Sequence, residues 1–299
     1  MTGRLVVDLC NILLGYNGME KHPNFPNFWH TIFILCLWFA LTVFVQFLAY
    51  DLGWRMPIGD PRNLLYPSFT TGIVIYALMR YQGLNYRQLF SPSSTTPSTK
   101  SLVTLLTLPI ALLSITTLVW MTNISWWLVQ RFPIAQSQQL IEFRLISSGW
   151  NSLLWVGLIT PLINELLFRG ILLRAFVSQY TVTNAILLCA LLTTAIQPAV
   201  AYMPEAFLCS CLLSWLYVRS RSLWPPIIAS VIYCTASIVV WHQFHVGHLF
   251  SNSQSAPFSL LATVVALLGS GVGAALLWYL LGSRGQAFND SDKKPPNSY

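Results

Sequence analysis

Charge is what this 299-residue chain has least of. Only 8% of its residues are charged, against about 25% in a soluble globular domain. So few ionisable side chains cannot clothe a water-facing surface, and 55% of the residues are hydrophobic. A soluble domain, a disordered chain and a collagen-like repeat are excluded together. Paired cysteines at metal-ligand spacing are missing too. Cys10, Cys36, Cys189, Cys209, Cys211 and Cys234 form no CxxC pair and lie in apolar or amphiphilic stretches, where a thiol is a small packing group. This excludes a disulfide-stapled secreted domain. No cleavable signal peptide is visible. The first 20 residues hold one basic residue, and Asp8 interrupts their apolar run. Residues Leu5 to Leu14 read instead as a short amphipathic helix at the membrane interface. The net charge is +7, yet no four basic residues are consecutive. Nucleic-acid binding therefore has no motif behind it, and the scattered cations read as topology signals and contacts to lipid headgroups.

Long hydrophobic runs are what the chain has instead. A spanning helix needs about 20 mostly apolar residues. Eight stretches approach or exceed that length: 29–50, 66–79, 102–128, 150–176, 185–202, 205–218, 223–241 and 258–281. The expected fold is all-α, a polytopic membrane bundle of about eight transmembrane helices. Pro225 and Pro226 suit the first turn of the seventh, where a missing N–H is harmless. The fifth and sixth are nearly contiguous and predict a tight hairpin. The chain divides into an interfacial segment 1–28, N-terminal spans 29–148, a core 149–240, a loop with the last span 241–282, and a polar tail 283–299 expected to be disordered.

With eight spans both termini share a side. Eleven of the 16 Lys and Arg residues then lie on that side; Arg55, Arg62, Arg131 and Arg144 lie on the other, and Arg169 inside a span. The positive-inside rule places the termini in the cytoplasm. Trp29, Trp54, Trp126, Trp127, Trp224 and Trp241 fall at span ends and fit an interfacial belt. Gly269, Gly271, Gly273 and Ala274 give the last span a surface for close helix contact, more readily within the chain than with a partner.

A charge at the bilayer centre costs about 2.5–3.5 kcal/mol on insertion scales, so Glu165 and Arg169 need a reason. They are four apart with the acid first, which puts them on one helix face as a self-neutralising pair. Either Glu165 is an acid–base group in a cavity open to water, or the pair is a structural clamp. No other ionisable residue lies well inside an expected span, which leaves no ion or proton relay for a transporter. His242, His245 and His248, spaced by three, are candidates to share a metal ion, with a polar interfacial loop as the alternative. No cofactor is otherwise implied.

The run TPLINELLFRGILLRAF and the later run LYVRSRSLWPPIIASVIYC resemble two motif regions of the CPBP intramembrane proteases, the CAAX-protease and bacteriocin-processing (Abi) family. The resemblance covers about 149–238. It implies a helical-bundle core and, for the family, peptide-bond cleavage within the membrane. The family pattern is Glu-Glu-x-x-x-Arg, a His on the next span, and a His with an Asn four residues later on the last motif helix. Its first Glu is the presumed base that activates water. Imidazoles can bind a metal or polarise a carbonyl. Carried onto this chain, the second Glu and the Arg fall on Glu165 and Arg169. The presumed catalytic positions fall on Asn164, Gln197, Ser230 and Cys234. An amide does not titrate, and Gln and Ser are poor zinc ligands beside His.

Losing all four groups implies a kept scaffold without the reaction. The expectation is a pseudoprotease that binds membrane lipids and another integral membrane protein, as assembly factor, scaffold or subunit. The alternatives are a divergent endopeptidase using Glu165, with Arg169 retained beside it, and a self-immunity protein. The remaining polar groups Asn164, Gln197 and Ser230 either line a hydrogen-bonding cavity for a headgroup, pigment or helix, or are packed away. A prokaryotic plasma membrane or a photosynthetic internal membrane is the expected location.

Overall fold

A computed structural model describes residues 26–83, 90, 99–243 and 256–291. Among them the elements are helical throughout, with no strand. Six helices are long and apolar enough to cross a membrane, so the protein is an all-α integral membrane bundle. The N-terminal amphipathic segment lies outside the described residues.

Helix α1 (Phe28–Asp51) opens on a reciprocal cap. The Asn27 side chain accepts from the His30 N–H at 2.9 Å, and the Asn27 N–H donates to the His30 ring. Apart from Thr31, Ile34 and Ala49, none of its residues is buried. Phe39, Phe44 and Phe47 face outward, as lipid allows. Two polar contacts hold it to α2 (Leu65–Gln82). Trp38 Nε1 donates to Thr71 Oγ1 at 2.9 Å, and the hydroxyls of Thr42 and Thr70 lie 2.7 Å apart. The α2 helix is less apolar than the six and ends on Gly83, whose φ of 65° is left-handed.

Helix α3 (Thr99–Arg131) has 33 residues, about 50 Å at 1.5 Å per residue. It exceeds the hydrocarbon thickness and is long enough to span with a tilt. A short, fully unburied helix α4 (Gln136–Ser147) follows, where the sequence shows only a connection. Helix α5 (Trp150–Val177) begins after Gly149, with φ 63°. It contains two π-helical stretches, Leu153–Ile159 and Leu166–Leu173, around a six-residue α segment Thr160–Glu165. Such wide turns often mark functional positions.

Helix α6 (Val182–Ala195) has 14 residues, about 21 Å. It ends seven residues before the expected limit at Tyr202. Pro198 explains this, since proline biases the preceding Gln197 away from helical backbone. The chain turns through Val200–Tyr202 into α7 (Met203–Ser220), which packs closely on α6 as the expected hairpin. Helix α8 (Trp224–Gln243) carries Pro225 and Pro226 in its first turn, as predicted. Helix α9 (Leu260–Ser291) runs past Leu281.

The central element is α5. Phe168, Ile171, Leu172, Leu173 and Phe176 are almost fully buried and form one core with residues of α1, α2, α6, α7 and α8. Gly157 lets α8 approach: a Cβ there would sit 3.3 Å from Thr235 Oγ1. A second core joins Leu106, Ile110 and Leu113 of α3 to Leu277 and Leu281 of α9. In lipid these contacts act through close packing rather than release of water.

Candidate functional site

Two polar loci sit inside the bundle. The first is built on α5. Glu165 and Arg169 are 1% and 2% exposed, and Arg169 Nη1 donates to Glu165 Oε1 at 3.1 Å. Arg169 Nη2 donates to Ser210 Oγ on α7 at 2.9 Å and to the Ser210 carbonyl at 3.4 Å. Ser210 Oγ and Thr193 Oγ1 of α6 are 2.9 Å apart. The Thr193 hydroxyl proton is already directed at the Cys189 carbonyl, at 2.6 Å, so Ser210 donates to Thr193. The Cys189 thiol in turn donates to the Phe168 carbonyl at 3.6 Å. One chain of hydrogen bonds thus ties α5, α6 and α7. Ser230 of α8 is buried beside the Glu165 carboxyl. A carboxylate and a guanidinium at this depth can both carry charge only as partners, each neutralising the other. Glu165 Oε2 and Arg169 Nε have no hydrogen-bond partner among the described residues.

The second locus is a cavity of about 350 Å³, where α3 and α8 end and α7 begins. Gln197, Tyr202, Glu205, Cys209, Tyr233, Cys234, Trp126 and Trp241 are among its lining residues. Glu205 stands in the first turn of α7. Its Oε2 accepts from Ser125 Oγ at 2.6 Å and its Oε1 from Tyr233 OH at 2.5 Å. Tyr202 OH donates to Glu142 of α4 at 2.7 Å. Gln197 Nε2 donates to the Thr193 carbonyl one turn back, at 3.3 Å.

These positions divide the residues singled out from the sequence. Glu165, Arg169 and Ser230 come together in the closed clamp. Gln197 and Cys234 line the cavity instead, with Cys234 in electrostatic reach of both Glu165 and Glu205. Asn164 is half-buried on α5. One turn of α8 separates Ser230, beside Glu165, from Cys234, which lines the cavity. A metal ion, which the resemblance allows, does not fit this split donor set of amide, hydroxyl and thiol. Among the described residues no three His, Cys, Asp or Glu side chains are placed to hold one. The His242 side chain, His245 and His248 lie outside what is described.

Sequence reasoning missed Glu205. It stands in the first turn of a helix within a stretch that qualifies as a span, Val200–Ser220. It read as a span boundary because an acid in a first helical turn is an ordinary favourable feature. Its partners Ser125 and Tyr233 are 80 and 28 residues away in sequence, and no local pattern joins them. Trp126 and Trp241, expected in an interfacial belt, are cavity walls. Trp29, Trp54 and Trp127 are exposed, as a belt requires.

Residues 146–236 match the family model described as type II CAAX prenyl endopeptidase Rce1-like. The matched segment runs from the end of α4 through the first part of α8, and agrees within a few residues with the stretch identified from motifs. Comparison with curated proteins and with solved structures gave no match. The chain is an integral membrane protein carrying a CAAX-protease-like, Rce1-like segment.

Proposed function

We propose that this protein uses the CAAX-endopeptidase-like scaffold without its reaction, and acts by binding another integral membrane protein as an assembly factor, scaffold or subunit. The observation that carries the reading is the fate of Glu165. A general base must reach the water it activates. Here the carboxyl is 1% exposed, engaged by Arg169, and absent from the cavity lining. The adjoining motif position is Asn164, an amide that takes no proton at neutral pH. The hydrogen bonds of Arg169 to Glu165 and Ser210 tie α5 to α7, which is the work of a clamp.

The test has two arms. Tagged purification in mild detergent should bring down a membrane protein in stoichiometric amount. The purified protein should leave a prenylated CAAX peptide uncut, and Asn164→Glu alone should not create activity. Cleavage by the native protein, lost in Glu165→Gln at unchanged abundance, would establish the divergent-endopeptidase reading in its place. A prokaryotic plasma membrane or a photosynthetic internal membrane, with both termini cytoplasmic, belongs to the same proposal. Fusion of a cytoplasm-only reporter to each terminus checks the orientation.

A further inference from the structure

The cavity beside Glu205 has a wall that packing alone does not call for. Trp126, Trp241, Tyr202 and Tyr233 share it with one carboxylate. Glu205 accepts a single hydroxyl hydrogen at each oxygen, from Ser125 and from Tyr233. Both donors are neutral, so they solvate the charge without cancelling it. Among the described residues the ion pairs are Asp60–Arg62 and Glu165–Arg169, and neither involves Glu205. A second carboxylate, Glu142, stands behind Tyr202 and accepts its phenol hydrogen. Phenols that donate to carboxylates carry more electron density in their rings, which strengthens attraction of a cation to the ring face.

From this we propose that the cavity binds an organic ammonium group of the choline or ethanolamine type, free or as a lipid headgroup. The proposal concerns the cavity alone and holds whether or not the chain hydrolyses peptides. The ammonium charge pairs with Glu205 while its methyl or methylene groups lie against the aromatic rings. An anion would meet the carboxylate. A purely apolar occupant would leave that carboxylate without a counter-charge in a poorly solvated wall. A metal ion would need more charged or thiolate ligands than the described residues bring together. The volume of about 350 Å³ lies in the range of small-ligand pockets. The cavity also lies toward the ends of α3 and α8 and the start of α7.

The experiment uses the full chain in dodecyl maltoside, a detergent without an ammonium group. Choline chloride, dihexanoylphosphatidylcholine and dihexanoylphosphatidylglycerol are titrated separately by calorimetry. The expected result is saturable binding of an ammonium compound and none of the glycerol lipid. Glu205→Gln should weaken that binding at least tenfold. Trp241→Leu should weaken it as well, whereas Trp127→Leu, on an exposed site, should not. Trp241→Leu carries the test should Glu205→Gln fail to fold. Choline binding identifies a free-amine site; binding of the choline lipid without choline identifies a headgroup site. The proposal is overturned by no binding of either, by equal binding of the glycerol lipid, or by an affinity unchanged in both cavity variants.

Discussion

Arg169→Met should be the most damaging single change in the chain, costing about 3–5 kcal/mol, the usual penalty for stranding one member of a buried ion pair. Glu165 is 1% exposed and its Oε1 accepts from Arg169 Nη1. Without the guanidinium the buried Glu165 carboxyl loses the partner that compensates its charge. The loss also unhooks Ser210, and through it Thr193, so α7 and α6 lose their polar tie to α5. Glu165→Gln keeps the bonds of Arg169 to Ser210 but strands a guanidinium that cannot shed its proton, so it too should be destabilising. The double variant Glu165→Gln with Arg169→Met should recover much of the loss, since it leaves no charge uncompensated. Thermal midpoints in detergent, followed by size-exclusion profile, give the double-mutant cycle. A clamp produces strong coupling between the two positions. Additive losses without coupling would remove the clamp and reopen an acid–base role for Glu165.

Legibility in the sequence followed the range of the interaction. The apolar runs, the double proline at α8 and the four-residue spacing of Glu165 and Arg169 are local patterns, and each appears in the structure. The extent of the CAAX-protease-like segment was readable for the same reason, since its motifs are short and contiguous. The length of α6 was misread because hydropathy continues through Ile196 and Val200 while Pro198 ends the helix. Helix α4 escaped because its composition is polar and its face is unburied. The cavity was least readable. Its carboxylate, phenols and indoles come from α3, α7, α8 and the connection before α7, and only the packing of α3 against α8 and α7 brings them to one place. The split between Ser230 and Cys234 has the same origin: residues four apart share a helix face, but neighbouring helices end at different heights along it.

The glycines of α9 show how far spacing reaches and where structure must decide. Gly269, Gly271 and Gly273 all read as small-residue contacts. In the bundle α9 runs antiparallel to α3. The Asn123 side chain holds its start, donating to the Phe258 carbonyl at 3.0 Å and to Thr263 Oγ1 at 2.6 Å. Further along, a Cβ on Gly269 would lie 2.8 Å from Thr116 Cγ2. One on Gly273 would lie 3.1 Å from both the backbone nitrogen and the Cβ of Leu113. A Cβ on Gly271 would meet nothing within 4 Å. Gly273 abuts backbone, which cannot swing aside as a side-chain tip can. Gly273→Leu should therefore force α9 from α3 and open the core of Leu106, Ile110, Leu277 and Leu281. Overpacking of a close contact costs about 1–3 kcal/mol, and here the loss of neighbouring contacts adds to it. Gly271→Leu, two residues away on the open face, should leave the thermal midpoint in detergent near that of the parent protein. The pair of variants separates helix contact from helix propensity, because both replace a glycine with the same side chain in one helix. Equal loss of stability in both would mean that the glycines of α9 do not set its distance from α3. Loss confined to Gly273→Leu, with an intact complex in Gly271→Leu, would assign the glycine face to the interior of the bundle and leave the opposite face of α9 free for lipid or a partner.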